Sequence, residues 1–250
     1  MTQFAFRRIT GTVCCLLACV WSNPIVSAEG DEVGFVSILD GKTLSDWTAL
    51  PASSAKAWCV EDGVLVGDGD KGRGYLAYTK KEFSDVEIRL SYRFPGKGNS
   101  GIDVRARKDT TGRRQLQSYH ADFGHVGIGK QVLGAWDFHT PGRREHACFR
   151  GMRLVIDEND KPHVTQIKDS VTTDDIRKGD WNDVRVIARD NNFQFFINDK
   201  LASEFTENLP RKKRLEKGLI TLQVHDPGMV VQFRDIRIKV LADADSKSDK

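Results

Sequence analysis

Residues 85–94 alternate without a break. Val86, Ile88, Leu90, Tyr92 and Phe94 are apolar or aromatic, and Asp85, Glu87, Arg89, Ser91 and Arg93 between them are polar. A period of two puts every second side chain on one face of an extended strand, whereas a helix needs a period near 3.6. The pattern recurs at Val184-Val186-Ala188, at Phe193-Phe195-Ile197 and at Ile220-Leu222-Val224. Turn-forming clusters separate the runs: Glu61-Asp62-Gly63, Gly96–Gly98, Asp190–Asn192 and Asn198-Asp199-Lys200, the last placed as a hairpin turn. No long amphipathic helical pattern is present. Many short strands with one buried face predict an all-β domain built as a two-sheet antiparallel sandwich. One run changes phase: Val231 and Phe233 share one parity, Ile236, Ile238 and Val240 the other, which predicts a β-bulge near Arg234-Asp235.

The ends differ from the body. Arg7 and Arg8, the apolar stretch Thr12–Trp21 and the small-residue ending Val26-Ser27-Ala28 have the order of a secretory signal, residues 1–28. Roughly ten apolar residues are too few to span a bilayer. Leu16-Leu17-Ala18-Cys19 also resembles a lipoprotein box, with Cys19 as the lipidated residue. Export to the periplasm or the exterior of a bacterial cell is the expectation either way. The body is a single domain over 33–241, followed by a polar tail, 242–250. Three of the five cysteines fall in the signal, leaving Cys59 and Cys148 either paired or as two thiols. Loss of Arg7 and Arg8 with the signal lowers an already small formal charge of +3, so no nucleic-acid partner is expected. The basic run Arg211–Arg214 fits a solvated loop.

The same alternation sorts chemistry. In Asn99–Arg105, Ile102 and Val104 face one way, and Asp103 and Arg105 the other. His120 and Asp122 share the polar side of Tyr119–Phe123, and Gln223 and His225 that of Leu222–His225. If these strands are neighbours, one face offers planar polar groups for hydroxyls, a guanidinium for an oxyanion, and His and Asp for proton transfer. An oligosaccharide or glycoside suits such a face. Solvated charge on an outer face is the plain alternative, although Lys and Glu, the usual residues there, are absent from these stretches. Asn99 joins the set as a hydroxyl ligand, and Trp47 and Trp136 are candidates to stack on a sugar ring. His125, His139, His146 and His163 fall in loop-like stretches without metal spacing. No Gly-x-Ser-x-Gly, His-Glu-x-x-His or Cys-x-x-Cys motif occurs.

In chain order, several stretches resemble one family: Ile38–Trp47 (ILDGKTLSDW), Trp58–Leu65 (WCVEDGVL), Asn99-Ser100-Gly101-Ile102 with Arg105, Gly179-Asp180-Trp181-Asn182, Phe196-Ile197-Asn198, and Gly218–Arg237. The ordered set is similar to the 3-keto-disaccharide hydrolase domain, also described as a 3-keto-glucoside lyase and 3-keto-2-hydroxy-glucal hydratase domain. The resemblance implies a concanavalin A-like jelly roll of the lectin and glucanase type, and cleavage of 3-keto-glycosides. That chemistry needs a base, an oxyanion stabiliser and an acid, and the polar face supplies candidates: His225 as base or acid, Arg105 as charge stabiliser and Asp122 as acid, base or orienter, with Asp103, His120, Gln223, Asn99 and Trp136 binding substrate. No cofactor is required, and a divalent metal is an alternative to Arg105. Many members carry Tyr-Glu-Val-Gln where this chain has Tyr119-His120-Ala121-Asp122, so the role of that glutamate falls to Asp122 or is lost. A non-catalytic carbohydrate-binding module of the same fold is the rival reading. The oligomeric state is left open.

Overall fold

The computed structural model describes residues 33–129 and 131–242. Residues 1–28, expected to be a secretory signal, with Cys19, and all but the first residue of the tail lie outside the described residues.

Strand makes up 51% of the described residues and helix 6%, as the alternating runs require. The strands are β1 (Val36–Ser37), β2 (Trp47–Leu50), β3 (Trp58–Glu61), β4 (Val64–Asp68), β5 (Gly74–Phe83), β6 (Val86–Arg93), β7 (Asn99–Lys108) and β8 (Leu116–Gly124). There follow β9 (Trp136–His139), β10 (Met152–Ile156), β11 (Pro162–Gln166), β12 (Asn182–Arg189), β13 (Asn192–Ile197), β14 (Lys200–Glu207), β15 (Gly218–Val224) and β16 (Val230–Val240). Short 3₁₀ turns at Ala52–Ala57, Thr173–Asp175 and Arg211–Lys213 complete the described elements. None is long and apolar enough to cross a membrane.

The strands form two sheets. The larger runs β11-β10-β14-β13-β12-β6-β16-β4-β3, with β1 also paired to β16. The smaller runs β2-β5-β15-β7-β8-β9. All pairs are antiparallel except β10 with β14. The inner faces share one core, and its aromatic centre crosses the gap: Trp136 of the smaller sheet packs edge-on against Phe193, Phe195 and Phe205 of the larger, and Tyr119 against Phe193 and Phe205. These rings bury large apolar area in offset or edge contacts.

Two local expectations hold. Asn198 and Asp199 both take positive φ, 49° and 64°, forming the two-residue turn between β13 and β14. The β16 register shifts between Arg234 and Arg237, with Asp235 at φ 54°, so one extra residue reconciles the two parities. Cys59 and Cys148 are both free thiols. Cys59 lies in β3, at the far end of the larger sheet, whereas Cys148 bridges to Trp136 in β9.

Candidate functional site

The central strands of the smaller sheet are β15, β7 and β8, and their register sets one polar row. Thr221 on β15 lies opposite Asp103 on β7, Asp103 opposite His120 on β8, and His120 opposite Asp137 on β9. In the next row Gly101 lies opposite Asp122, and Asn99 extends the same side of β7. The apolar neighbours Ile102, Val104, Tyr119, Ala121, Leu222 and Val224 turn into the core. Asp103, His120, Asp122, Gln223 and Asn99 therefore do share one outer face, with His225 just past the end of β15.

Asp103 is the hub. It is fully buried and accepts hydrogen bonds from Ser118 and Thr221 and from Nδ1 of His120 at 3.0 Å. Nε2 of His120 lies 3.4 Å from Oδ1 of Asp122. Imidazole between two carboxylates is a cation site. Burial alone would lower the His120 pKa, but the charges of Asp103 and Asp122 outweigh it and hold the imidazolium well above its ordinary range. Burial likewise opposes ionisation of Asp103, and His120 and His139 overcome it, so its pKa is lowered. At neutral pH the centre of this face carries a fixed positive ring flanked by negative oxygens.

Gly101 makes the arrangement possible. A Cβ there would lie 2.2 Å from Nε2 of His120 and 2.6 Å from the Ala121 carbonyl oxygen, so the imidazole occupies the space that any other residue would fill. Around this gap two buried oxygens lack a protein partner, Asn99 Oδ1 and Gln223 Oε1, and His120 Nε2 has only the 3.4 Å approach of Asp122. Buried polar groups are nearly always satisfied, and exceptions cluster where function supplies the partner.

Three groups at this face escaped the sequence reading. Tyr75 on β5 accepts a bond from Gln223 Nε2 at 3.1 Å. Burial, with the charge of Asp103, raises its pKa, so the phenol keeps its proton as a donor. His139 sits in β9, not in a loop, and links Ser118 at 3.2 Å to Asp137 at 3.1 Å. Asp137 is lowered to about 2, its hydrogen bond and ion pair with His139 outweighing burial. Asp103, His120 and His139 bring potential metal-ligand atoms within 4.8 Å of one another. The two imidazoles, however, stack at 4.9 Å with planes 18° apart. This arrangement suits a proton and charge network.

His225 is half-buried at the edge of the face. Its Nε2 lies 2.9 Å from the Arg73 guanidinium and its Nδ1 2.6 Å from Asp226. Arginine only donates, so Nε2 is the acceptor and Nδ1 carries the proton that Asp226 receives.

Two expected members are elsewhere. Arg105 does not join the face. The β7 register breaks between Val104 and Arg107, and Arg105 takes φ 53°, which turns its side chain between the sheets. There it bonds the carbonyls of Ser84 and Leu215, pairs with Asp85 at 3.2 Å and lies over the Phe193 ring at 4.8 Å. Gly218 lets the bulge pass, since a Cβ there would be 2.4 Å from the Arg105 backbone. Trp136 is no sugar platform either: its inward parity in β9 commits it to the aromatic core. Trp47 is also buried, its Nε1 donating to the Ile38 carbonyl at 2.9 Å.

Residues 34–239 match the family profile of the 3-keto-alpha-glucoside-1,2-lyase-like domain. The chain belongs to that family. Among solved structures it is similar to two proteins from Parabacteroides distasonis, each provisionally named a glycosyl hydrolase. The first has a TM-score of 0.57 and 18% identity, covering 87% of this chain and 99% of that one. The second has a TM-score of 0.49 and 18% identity, covering 78% and 99%. A carbohydrate-binding module of Bacillus subtilis, CBM66, aligns with a TM-score of 0.48 and 15% identity, covering 78% and 95%. No curated protein matches the sequence. At these identities the structural likeness speaks for the jelly-roll sandwich alone.

Proposed function

We propose that this 3-keto-alpha-glucoside-1,2-lyase-like domain cleaves 3-keto-glycosides outside the cytoplasm, using the outer face of its smaller sheet. The observation that carries the reading is the pair of buried, unpartnered oxygens of Asn99 and Gln223 around Gly101, placed beside the His120 imidazolium. A sugar's hydroxyls supply the donors that those oxygens lack, and its carbonyl oxygen is placed to face the cation.

A ketone at carbon 3 acidifies the proton on carbon 2. The Asp122 carboxylate takes that proton, and the electron pair moves onto the carbon 3 oxygen as an enolate. The His120 cation and the Tyr75 phenol stabilise that oxygen, a role in which preorganised charge is most effective. The enolate then re-forms the ketone and expels the aglycone from carbon 1. Once Arg73 moves off, Nε2 of His225 takes a proton from solvent, with Asp226 still holding Nδ1, and passes it to the leaving oxygen. Water added across the resulting double bond gives the free 3-keto sugar by the reverse proton movements. Asp103, with no exposed surface, positions His120 without touching substrate.

Incubation of the purified chain with 3-keto-glycosides of different aglycones should release aglycone, and His225→Ala should suppress release while the chain stays folded. Binding of these sugars with no release by the wild type would make the chain a binding module and overturn the lyase reading.

The charge on His120 sets a pH signature. Its folded pKa exceeds the unfolded value, so its stabilising contribution is complete below the ordinary histidine range. That contribution is lost as pH rises through the elevated folded value. Asp103 is shifted the other way, so its contribution is present above the ordinary aspartate range and lost on acidification. Urea unfolding should therefore show a stability plateau around neutral pH. The alkaline decline should be shallower in His120→Gln than in the wild type, and identical profiles would mean that His120 is not charged.

A further inference from the structure

A second cleft, of about 380 Å³, opens at the end of the sandwich, lined from the β7–β8 end, the turn after β9 and the Arg211–Lys213 turn. Arg107, Arg144, Lys212 and Lys213 all line it and all are exposed. Among the described residues none of these four is paired with a carboxylate. Nε of Arg107 donates to Gln117 Oε1 at 2.9 Å, which holds the guanidinium in place. Arg143 also lines the cleft, but its charge is matched by the buried Glu207 behind it. The one carboxylate in the wall, Asp160, is engaged by His146 at 2.7 Å.

The decisive group is Thr140. It lines the same cleft, is 5% exposed, and its Oγ1 has no partner among the described residues. A solvated basic loop does not need a buried hydroxyl left unpaired at its base. A tetrahedral oxyanion supplies what the cleft lacks: several acceptor oxygens, one within reach of a short hydroxyl and the others facing unpaired ammonium and guanidinium groups.

We propose that this cleft is an oxyanion site for a sulfate or phosphate group, free or as an ester on a sugar. It is separate from the outer face of the smaller sheet and does not depend on the reaction proposed there. Arg107 and Arg144 supply planar donors, Lys212 and Lys213 point charges, and Thr140 a neutral donor that favours an oxyanion over chloride.

Calorimetric titration of the full chain at constant ionic strength, with chloride as the balancing anion, tests the site. The titrants are inorganic sulfate, inorganic phosphate, glucose 6-sulfate and glucose. Saturable binding of sulfate or phosphate over the chloride background is expected. Thr140→Val should weaken it about tenfold, the scale of one hydrogen bond to a charged group, with no fall in melting temperature. Lys212→Glu with Lys213→Glu, both exposed and so harmless to folding, should remove it. Tighter binding of glucose 6-sulfate than of inorganic sulfate identifies the ester as the ligand, and equal binding the free ion; either supports the site. No saturation over chloride, or wild-type affinity in both variants, overturns it.

Discussion

His120→Gln should lower kcat on a 3-keto-glycoside by about 10²–10³-fold, the range seen when one preorganised oxyanion stabiliser is removed. Glutamine keeps the size and hydrogen-bonding character of the side chain but cannot hold the charge that Asp103 and Asp122 impose on the imidazole. The charge matters most when the carbon 3 oxygen becomes negative, so the loss should appear in kcat with KM little changed. Single-turnover kinetics read this directly. A rise in KM at unchanged kcat would make His120 a ground-state hydroxyl ligand, and wild-type kinetics would remove it from the reaction.

Arg143→Ala should destabilise the fold by about 3–5 kcal/mol, the scale for leaving a buried charge without its partner. Glu207 has no exposed surface, is paired to Arg143, and also accepts from the Tyr119 hydroxyl. Burial already raises its pKa against the pull of Arg143. Without the arginine it should rise further, and a carboxyl raised above its unfolded value loses stability as pH climbs through the folded one. The deficit should thus be larger at pH 8 than at pH 5 in urea unfolding. Glu207→Gln in the Arg143→Ala background should recover much of it, because an amide needs no counter-ion. A pH-independent deficit that Glu207→Gln leaves untouched would assign the loss to packing of the arginine stem.

What the sequence reveals follows how regularly each strand alternates. The runs that became β6, β12 and β13 keep strict parity, and the phase change within β16 announces its own bulge. The same parity brings Asp103, His120, Asp122 and Gln223 to one face, although more than a hundred residues separate β7 from β15. The bulge in β7 gives no such sign. Val104 and Ala106 continue the apolar parity through it, so Arg105 looks outward in the sequence while its positive φ turns it inward. Strand β9 has only four residues, too few to show that Trp136 and Phe138 face the core and that Asp137 and His139 face the polar row. Tyr75 was hidden by Tyr78, three residues along β5 and of opposite parity. Nothing local says which of two tyrosines faces out.

The two free cysteines carry a consequence for where this chain can mature. Cys148 is buried, and burial pushes its thiol up to about 12, so it stays unreactive toward oxidants and thiol-exchange partners. Cys59 sits on a strand too distant to reach it. The sandwich is held by its shared aromatic core and its ladders, with no covalent cross-link to be made or lost among the described residues. Folding therefore places no redox demand on its surroundings: the domain can reach its native state as well among reducing thiols as in an oxidising space.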